Sequence, residues 1–330
     1  MHADWIKIPE QQNDFTALSS ASIVSVLDDY GVLAIDGIDS AKFLQGQLTC
    51  NMQDITLTQG SRGAHCSNKG RAIATFFLSQ VGEHRYQFFL PKPVVPVLQK
   101  SLSKYIVFSK AKLHDVSEDF LLLGISGLHA VEKIKDLWGS VPVGKDAQIS
   151  GEQGTVSCVA ENPARFLCCI PAAHAQAVYA RLSAGSSVVT GHYWRWLDIV
   201  DGLGEVLAGT VEEFIPQMLN LQLVGGVSFT KGCYTGQEIV ARMQYRGTLK
   251  KAMYRLGGDG VAPAPNAPVF RGGEAQAVGH VVMAENIAVN SWEALAVISH
   301  EALTEALHTE NSAPVRLLVL PYAVPAGEQK

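Results

Sequence analysis

Twice along this chain two strand-length apolar runs lead into a stretch with helical spacing, and that repeated order constrains the fold more than any single motif. The first set covers residues 72–78, 86–90 and 94–105, with 81–85 as the turn and Pro93 and Pro96 in the first helical turn, where proline is tolerated. The second covers 155–160, 166–170 and 172–182. Strand, strand, helix, repeated, predicts two similar α+β units rather than one doubly wound sheet. Residues 31–35 read as a buried strand, Asp36-Gly37 as a turn, and Asp39 or Ser40 as the cap of a helix through Phe43 and Leu44. Strands at 112–116 and 120–126 and a helix at 128–138 complete this part.

Beyond residue 250 the texture changes. Gly257-Gly258-Asp259-Gly260, Pro263, Pro265 and Pro268 punctuate the chain, and short apolar runs at 278–283, 294–298 and 315–320 predict a small antiparallel barrel. A chain of 330 residues is too long for one ordinary core, and with 47% hydrophobic and 17% charged residues it has ample material to bury.

Charge and motifs exclude several function classes. A net charge of -5 gives no global attraction to phosphate backbones, so stable direct nucleic-acid binding is not expected. No G-x-G-x-x-G follows a strand and no G-x-x-x-x-G-K-[ST] occurs, so nucleotide cradles have no support. Residues 1–7 lack the basic start and apolar run of a secretory signal, and no apolar stretch is long enough to span a bilayer, which together predict a cytoplasmic protein without a membrane anchor. The six cysteines, Cys50, Cys66, Cys158, Cys168, Cys169 and Cys233, form no C-x-x-C pair and no disulfide framework. Vicinal Cys168 and Cys169 point to opposite faces of an apolar strand, and the ten histidines show no H-E-x-x-H, so no resident metal is expected.

Chemistry concentrates in Lys231-Gly232-Cys233-Tyr234-Thr235-Gly236-Gln237-Glu238. Thr235 and Glu238 have the spacing of a capping box, which predicts a helix through Ile239, Val240 and Ala241. Cys233 then sits just outside a helix N-terminus, where backbone N–H groups and Lys231 favour a thiolate. The plainer alternative is a structural cysteine buried after a glycine-containing turn. Downstream, Arg242, Arg246, Lys250, Lys251 and Arg255 suit either a small polyanion or a solvated basic face.

The octapeptide, preceded by Phe214-Ile-Pro-Gln-Met-Leu-Asn-Leu-Gln-Leu-Val-Gly-Gly226, resembles the YgfZ family. Phe43-Leu-Gln-Gly-Gln-Leu-Thr49, His65-Cys66 with Lys69-Gly70, and Lys104-Tyr105 with Val107-Phe108-Ser109-Lys110 extend the resemblance over nearly the whole chain. It implies a folate-binding accessory protein that supports assembly or repair of iron-sulfur enzymes, including those that thiolate tRNA, as transient partners of a monomer. It also implies a three-domain aminomethyltransferase-like architecture around a central opening, two α+β units plus a C-terminal antiparallel β-barrel. The segments are then 1–45 with 115–250, an inserted 46–114, and the barrel 251–330.

Carried over residue by residue, the resemblance makes Cys233 the functional thiol, with Lys231 favouring its thiolate and Tyr234 shaping the approach. Gln237 and Glu238 fix the turn and contact ligand groups. Tyr30 and Trp194 hold folate or tetrahydrofolate by stacking, worth about 0.5 to 1.5 kcal/mol per ring; the alternative reads Trp194 and Trp196 as core residues of a helix. Arg242, Arg246, Lys250 and Lys251 are candidates for the carboxylate tail. The family's pterin-binding Glu in Ile-Glu-Ala-Gly has no counterpart in Ile199-Val200-Asp201-Gly202, where Asp201 stands one position away, about 100° round a helix. Lys69-Gly70 is followed by Arg71-Ala72-Ile73-Ala74-Thr75, without the carboxylate that the aminomethyltransferase carries there. Simple aminomethyl transfer is thus not expected; a tetrahydrofolate-dependent one-carbon transferase or demethylase is the alternative function.

Overall fold

The computed structural model describes residues 5, 6, 8, 14–18, 21–273, 276–310 and 314–325. Most of the N-terminal stretch 1–7, which lacks the pattern of a signal segment, lies outside the described residues. The chain forms two compact units, each assembled from separated stretches: Met1–Leu44, Met52–Arg62 and Phe76–Trp194 in one, Gln45–Asn51, Gly63–Thr75 and Arg195–Lys330 in the other.

In chain order the elements begin with β1 (Ser22–Val26), β2 (Tyr30–Asp36), α1 (Ser40–Gln45), β3 (Ser61–Cys66), β4 (Ala72–Gly82) and β5 (Arg85–Pro91). There follow α2 (Val95–Ser103), β6 (Lys112–Asp115), β7 (Phe120–Gly127), α3 (Ala130–Trp138), β8 (Gln148–Gly151) and β9 (Gly154–Glu161). Next come β10 (Ala164–Pro171), α4 (Ala172–Ser183), β11 (Ser187–Thr190), α5 (Gly191–Val200) and α6 (Gln237–Tyr245). Both strand, strand, helix sets are therefore present. The first helix stops at Ser103, short of the expected 105, and a separate 3-10 turn, Ile106–Phe108, follows it.

A six-stranded sheet runs in the order β11-β1-β7-β10-β9-β8 and a five-stranded one in the order β3-β4-β5-β2-β6. In the first, β1 and β11 are parallel and the other pairs antiparallel. From Phe166 to Ile170 its β10 is apolar, and both faces of that run are covered. Cys168 packs with Val24, Leu123, Val156 and Val178, and Cys169 with Tyr30, Phe89, Leu167 and Trp194. The vicinal thiols thus point to opposite faces, as strand geometry demands. α3 covers the first of these faces with Ala130, Ile134 and Leu137, a single stripe at i, i+4 and i+7.

The second unit contains the barrel. Strands β12 (Lys251–Asp259), β13 (Pro268–Arg271), β14 (Gly279–Ala288), β15 (Ser291–Ser299), β16 (Leu307–Thr309) and β17 (Pro314–Leu318) close in the order β12-β15-β14-β13-β16-β17. All the pairs are antiparallel, and closure in this order leaves no free edge strand among the described residues. Trp292 fills its interior, and its cross-strand partner must be glycine: a Cβ on Gly258 would meet the Trp292 ring at 2.3 Å. Among the described residues no helix is long and apolar enough to cross a membrane.

Candidate functional site

Lys231 is buried, and its ammonium donates hydrogen bonds to the carbonyl oxygens of Leu48 at 2.8 Å and Cys50 at 2.7 Å. The ring of Tyr234 lies 5.2 Å from Nζ, within cation–π range. Burial pulls the Lys231 amine down to about 8, partly opposed by the nearby Cys50 thiol. The same burial pushes the Tyr234 phenol up. Lys231, expected as the cation favouring the Cys233 thiolate, has its ammonium engaged elsewhere. Its hydrogen bonds go to interior carbonyls, whereas Cys233 is exposed.

The capping box is also corrected. The helix begins at Gln237 with Gly236 as its N-cap, in the left-handed region at φ 83° and without a side-chain cap. Thr235 Oγ1 turns away and donates to Gln47 Oε1 at 3.1 Å, while its N–H reaches the Gly46 carbonyl. Glu238 is exposed. The helix itself runs through Ile239, Val240 and Ala241 as expected. Cys233 stands three residues before the N-cap, beyond the first turn over which the helix dipole acts.

Gly236 is required by packing as well as by φ. A Cβ there would meet the Ser67 carbonyl oxygen at 2.6 Å, and one on Gly70 would meet the Ile239 side chain at 2.7 Å. The Lys69-Gly70 turn, closed by Gly70 N–H to Ser67 O and Ser67 N–H to Arg71 O, therefore abuts the octapeptide. Arg71 anchors its other side through the carbonyls of Glu212 and Glu213. Thr49 Oγ1 donates to Gly226 O at 2.6 Å and accepts from Ala64 N–H at 2.8 Å. The buried His65 bonds the Gln47 carbonyl through Nδ1.

Four segments that are remote in sequence, 45–51, 65–71, 214–226 and 231–238, are thus one connected construction within the second unit. It explains why the unit borrows two short excursions from the first half of the chain. Sequence reasoning assigned no role to Gln47, Thr49, His65 or Gln217; the signal available for them was membership of the shared stretches. Gln217 is buried and donates to Val240 O at 2.5 Å, tying the 214–226 loop to α6. Thr75 accepts from Val206 N–H at 2.8 Å, which makes it a structural hydroxyl.

Cys233 is the exposed cysteine of the six. Burial pushes the Cys66 thiol up to about 12 and raises Cys168 and Cys169 as well. Cys158 is pushed up to about 11 by burial, with Glu161 and Asp146 adding to it. Among the described residues no group of three or more His, Cys, Asp or Glu is placed to hold a metal ion.

Tyr30 and Trp194 belong to the first unit and share one buried cluster, 7% and 4% exposed. Trp194 seats its ring against Gly124, where a Cβ would come within 2.2 Å. The Arg165 guanidinium, fully buried, lies 4.7 Å from the same ring. Sequence reasoning missed Arg165 because it opens an apolar strand; a register shift between Arg165 and Phe166 turns it inward. In the second unit Arg242, Arg246 and Lys250 are exposed. Arg255 is corrected from that basic group: its guanidinium pairs with Glu293 Oε2 at 2.6 Å on the barrel wall. Asp201 follows the C-terminus of α5, in a turn with Gly202 at φ 67°.

No protein-family model matches the chain. The tRNA-modifying protein YgfZ of Vibrio vulnificus (strain YJ016) is 37% identical over 245 residues, which cover 74% of this chain and 72% of that protein. Its namesake in Escherichia coli (strain SE11) is 35% identical over 233 residues, covering 70% and 71%. Among solved structures, aminomethyltransferase T of the glycine cleavage system from Bartonella henselae superposes with a TM-score of 0.75 over 93% of this chain and 88% of that one, at 14% identity. The fold is therefore aminomethyltransferase-like. On the identity and coverage of its curated relatives, this chain belongs to the YgfZ family of tRNA-modifying proteins.

Proposed function

We propose that this chain is a folate-binding accessory protein that supports assembly or repair of iron-sulfur enzymes, and thereby tRNA modification, through the thiol of Cys233. The observation that carries the reading is the construction around Lys231. Four remote segments are bonded together, and the octapeptide they hold presents the exposed thiol while the other cysteines are buried. A buried cysteine is inert; an exposed one on a braced loop can attack a partner's disulfide, forming a mixed disulfide and releasing the partner's other sulfur as a thiolate. The protein works in the cytoplasm as a monomer that meets its client enzymes transiently.

Folate is proposed as the ligand on the fold likeness and on the Tyr30–Trp194 cluster. Two ring systems and the Arg165 guanidinium stand together in one unit, with both rings nearly buried, so a flat aromatic group would stack on them only by displacing packed side chains. Bound there, folate would supply a one-carbon carrier, and these residues would orient its ring. The one-carbon transferase alternative gains no support, since residues 71–75 hold no carboxylate and the Thr75 hydroxyl is engaged by Val206 N–H.

The test is complementation of cells lacking this protein with Cys233→Ala, reading thiolated nucleosides in total tRNA by mass spectrometry. Wild type is expected to restore thiolation and Cys233→Ala to leave it low. Full restoration by the Ala variant removes the thiol from the reading.

A further inference from the structure

Residues 319–325 form a strap on the second unit. After β17 stops at Leu318 they leave the barrel with side chains alternating outward and inward: Val319, Pro321, Ala323 and Pro325 are exposed, and Leu320, Tyr322 and Val324 are half-buried. Among the described residues no backbone group from 320 to 324 has a hydrogen-bond partner. Two side chains hold the strap instead. Leu320 and Tyr322 pack against the core cluster that contains Ile199, Leu203 and Met253. Gly202, at φ 67°, has no room for a side chain: a Cβ would meet the Tyr322 oxygen at 2.6 Å and the Leu320 side chain at 2.8 Å. An open cavity of about 500 Å³ lies alongside, lined by Tyr254 and residues 318–324.

The polar groups under the strap do not balance. Tyr322 Oη donates to Gly202 O at 2.6 Å and accepts from Asn220 Nδ2 at 3.4 Å. Asn220 is 1% exposed, and its Nδ2 also donates to Met253 O at 2.8 Å. A carbonyl can take a hydrogen bond only from the nitrogen end of the amide, so Met253 fixes which way Asn220 faces. Its Oδ1 is left buried and, among the described residues, without a partner. Two acceptors, Gly202 O and Asn220 Oδ1, are thus served by one phenol with a single proton to give. Burial pushes that phenol up to about 12, so the proton stays on it at neutral pH.

We propose that residues 319–325 are a latch over a ligand site, and that Tyr322 stands where a neutral planar group with two adjacent N–H donors binds, one donor to Gly202 O and the other to Asn220 Oδ1. The surrounding cluster is hydrocarbon, which favours a neutral group over a cation. An unpaired backbone, two inserted side chains and an outer row in water are the features of a segment at the low end of local stability. Displacing it breaks the bond to Gly202 O, which the ligand restores while also supplying the donor that Asn220 Oδ1 lacks. The site lies wholly within the second unit and makes no use of the Tyr30–Trp194 cluster on which the folate reading rests, so either can fail alone.

The probes are isocytosine, whose amino group and ring N–H are adjacent, and uracil, a ring of the same size in which a carbonyl separates the two N–H groups. Each is titrated against the full chain by ligand-observed NMR, as wild type, Tyr322→Ala and Tyr322→Phe. Circular dichroism and the thermal midpoint verify that each variant is folded. Tyr322→Ala, in which the phenol no longer competes, should bind isocytosine with a Kd of roughly millimolar order. Uracil should bind it about 2- to 12-fold more weakly, the effect of one hydrogen bond. Wild type should bind isocytosine at least about 10-fold more weakly than Tyr322→Ala, the reduction expected of a latch open a tenth of the time or less. Tyr322→Phe, which keeps the ring and loses only the hydroxyl, should prefer the same probe with a smaller gain over wild type, and it decides the matter if the Ala variant does not fold. Equal binding of the two probes by a folded variant overturns the inference. So does the absence of isocytosine binding, the outcome expected if a water molecule serves Asn220 Oδ1.

Discussion

The Lys231 ammonium and the carbonyl oxygen of Cys50 are 2.7 Å apart although 181 residues separate them in sequence. With the matching bond to Leu48 O, this contact ties the 45–51 excursion to the octapeptide from inside. The lysine is a strut for the loop that carries Cys233.

Replacing that strut gives a pH signature. Lys231→Met leaves the Leu48 and Cys50 carbonyls without their donor, a loss of about 1–3 kcal/mol. The folded amine titrates near 8 and the unfolded one at 10.5, so between these values the unfolded chain binds more protons and wild-type stability rises with pH. Below 8 both states are protonated and the buried charge is at its most costly. Urea unfolding at pH 7 and pH 9.5 should therefore show the wild type gaining on Lys231→Met at the higher pH. Parallel behaviour of the two proteins would remove the buried ammonium from the account.

Native thiol labelling gives a second outcome. Iodoacetamide at neutral pH should modify the folded protein at Cys233, the exposed thiol, and spare the five buried cysteines. Cys233→Ala should then label at background level, with a stability change within about 0.5 kcal/mol, as for other surface substitutions. Intact mass before and after unfolding in urea counts the thiols in each state. More than one adduct on the folded chain would contradict the burial described for Cys50, Cys66, Cys158, Cys168 and Cys169.

Gly236 is where the octapeptide meets the Lys69-Gly70 turn, and Gly236→Ala tests that contact. The new Cβ would sit 2.6 Å from the Ser67 carbonyl oxygen on a backbone at φ 83°, so strain and clash act together. A cost of about 1–3 kcal/mol is expected in the denaturation midpoint. Gly232→Ala, with no atom within 4 Å of its new Cβ, should be close to neutral. Equal effects at the two glycines would mean that the turn and the octapeptide do not bear on each other.

What was legible in the sequence was what local pattern dictates. The apolar runs that became β2, β4, β5, β9 and β10 are buried along most of their length, and the opposite-facing Cys168 and Cys169 follow from a period of two. The proline- and glycine-punctuated segment beyond residue 250 did close into a barrel. The site was less legible because its partners are distant. Thr235 has capping-box spacing, yet Gln47 offers an acceptor 188 residues away and the left-handed Gly236 takes the N-cap position. Lys231 and Arg165 look like surface cations from their charge. One is satisfied by two carbonyls and the other lies over Trp194, neither of which neighbours it in sequence.

Trp194 separates a packing role from a binding role. Its ring is nearly buried against Gly124 and beneath Arg165, so Trp194→Ala should cost about 3–5 kcal/mol through the cavity it leaves. That variant would lose ligand binding for the trivial reason of unfolding. Trp194→Phe keeps a ring and much of the contact, and its effect on stability should be smaller. If the indole also holds folate, tetrahydrofolate affinity measured by calorimetry on Trp194→Phe should fall more than stability does, by a factor within about two- to twelve-fold. Unchanged affinity in the folded Phe variant would assign Trp194 to the core alone and leave the ligand to be sought away from the Tyr30 cluster.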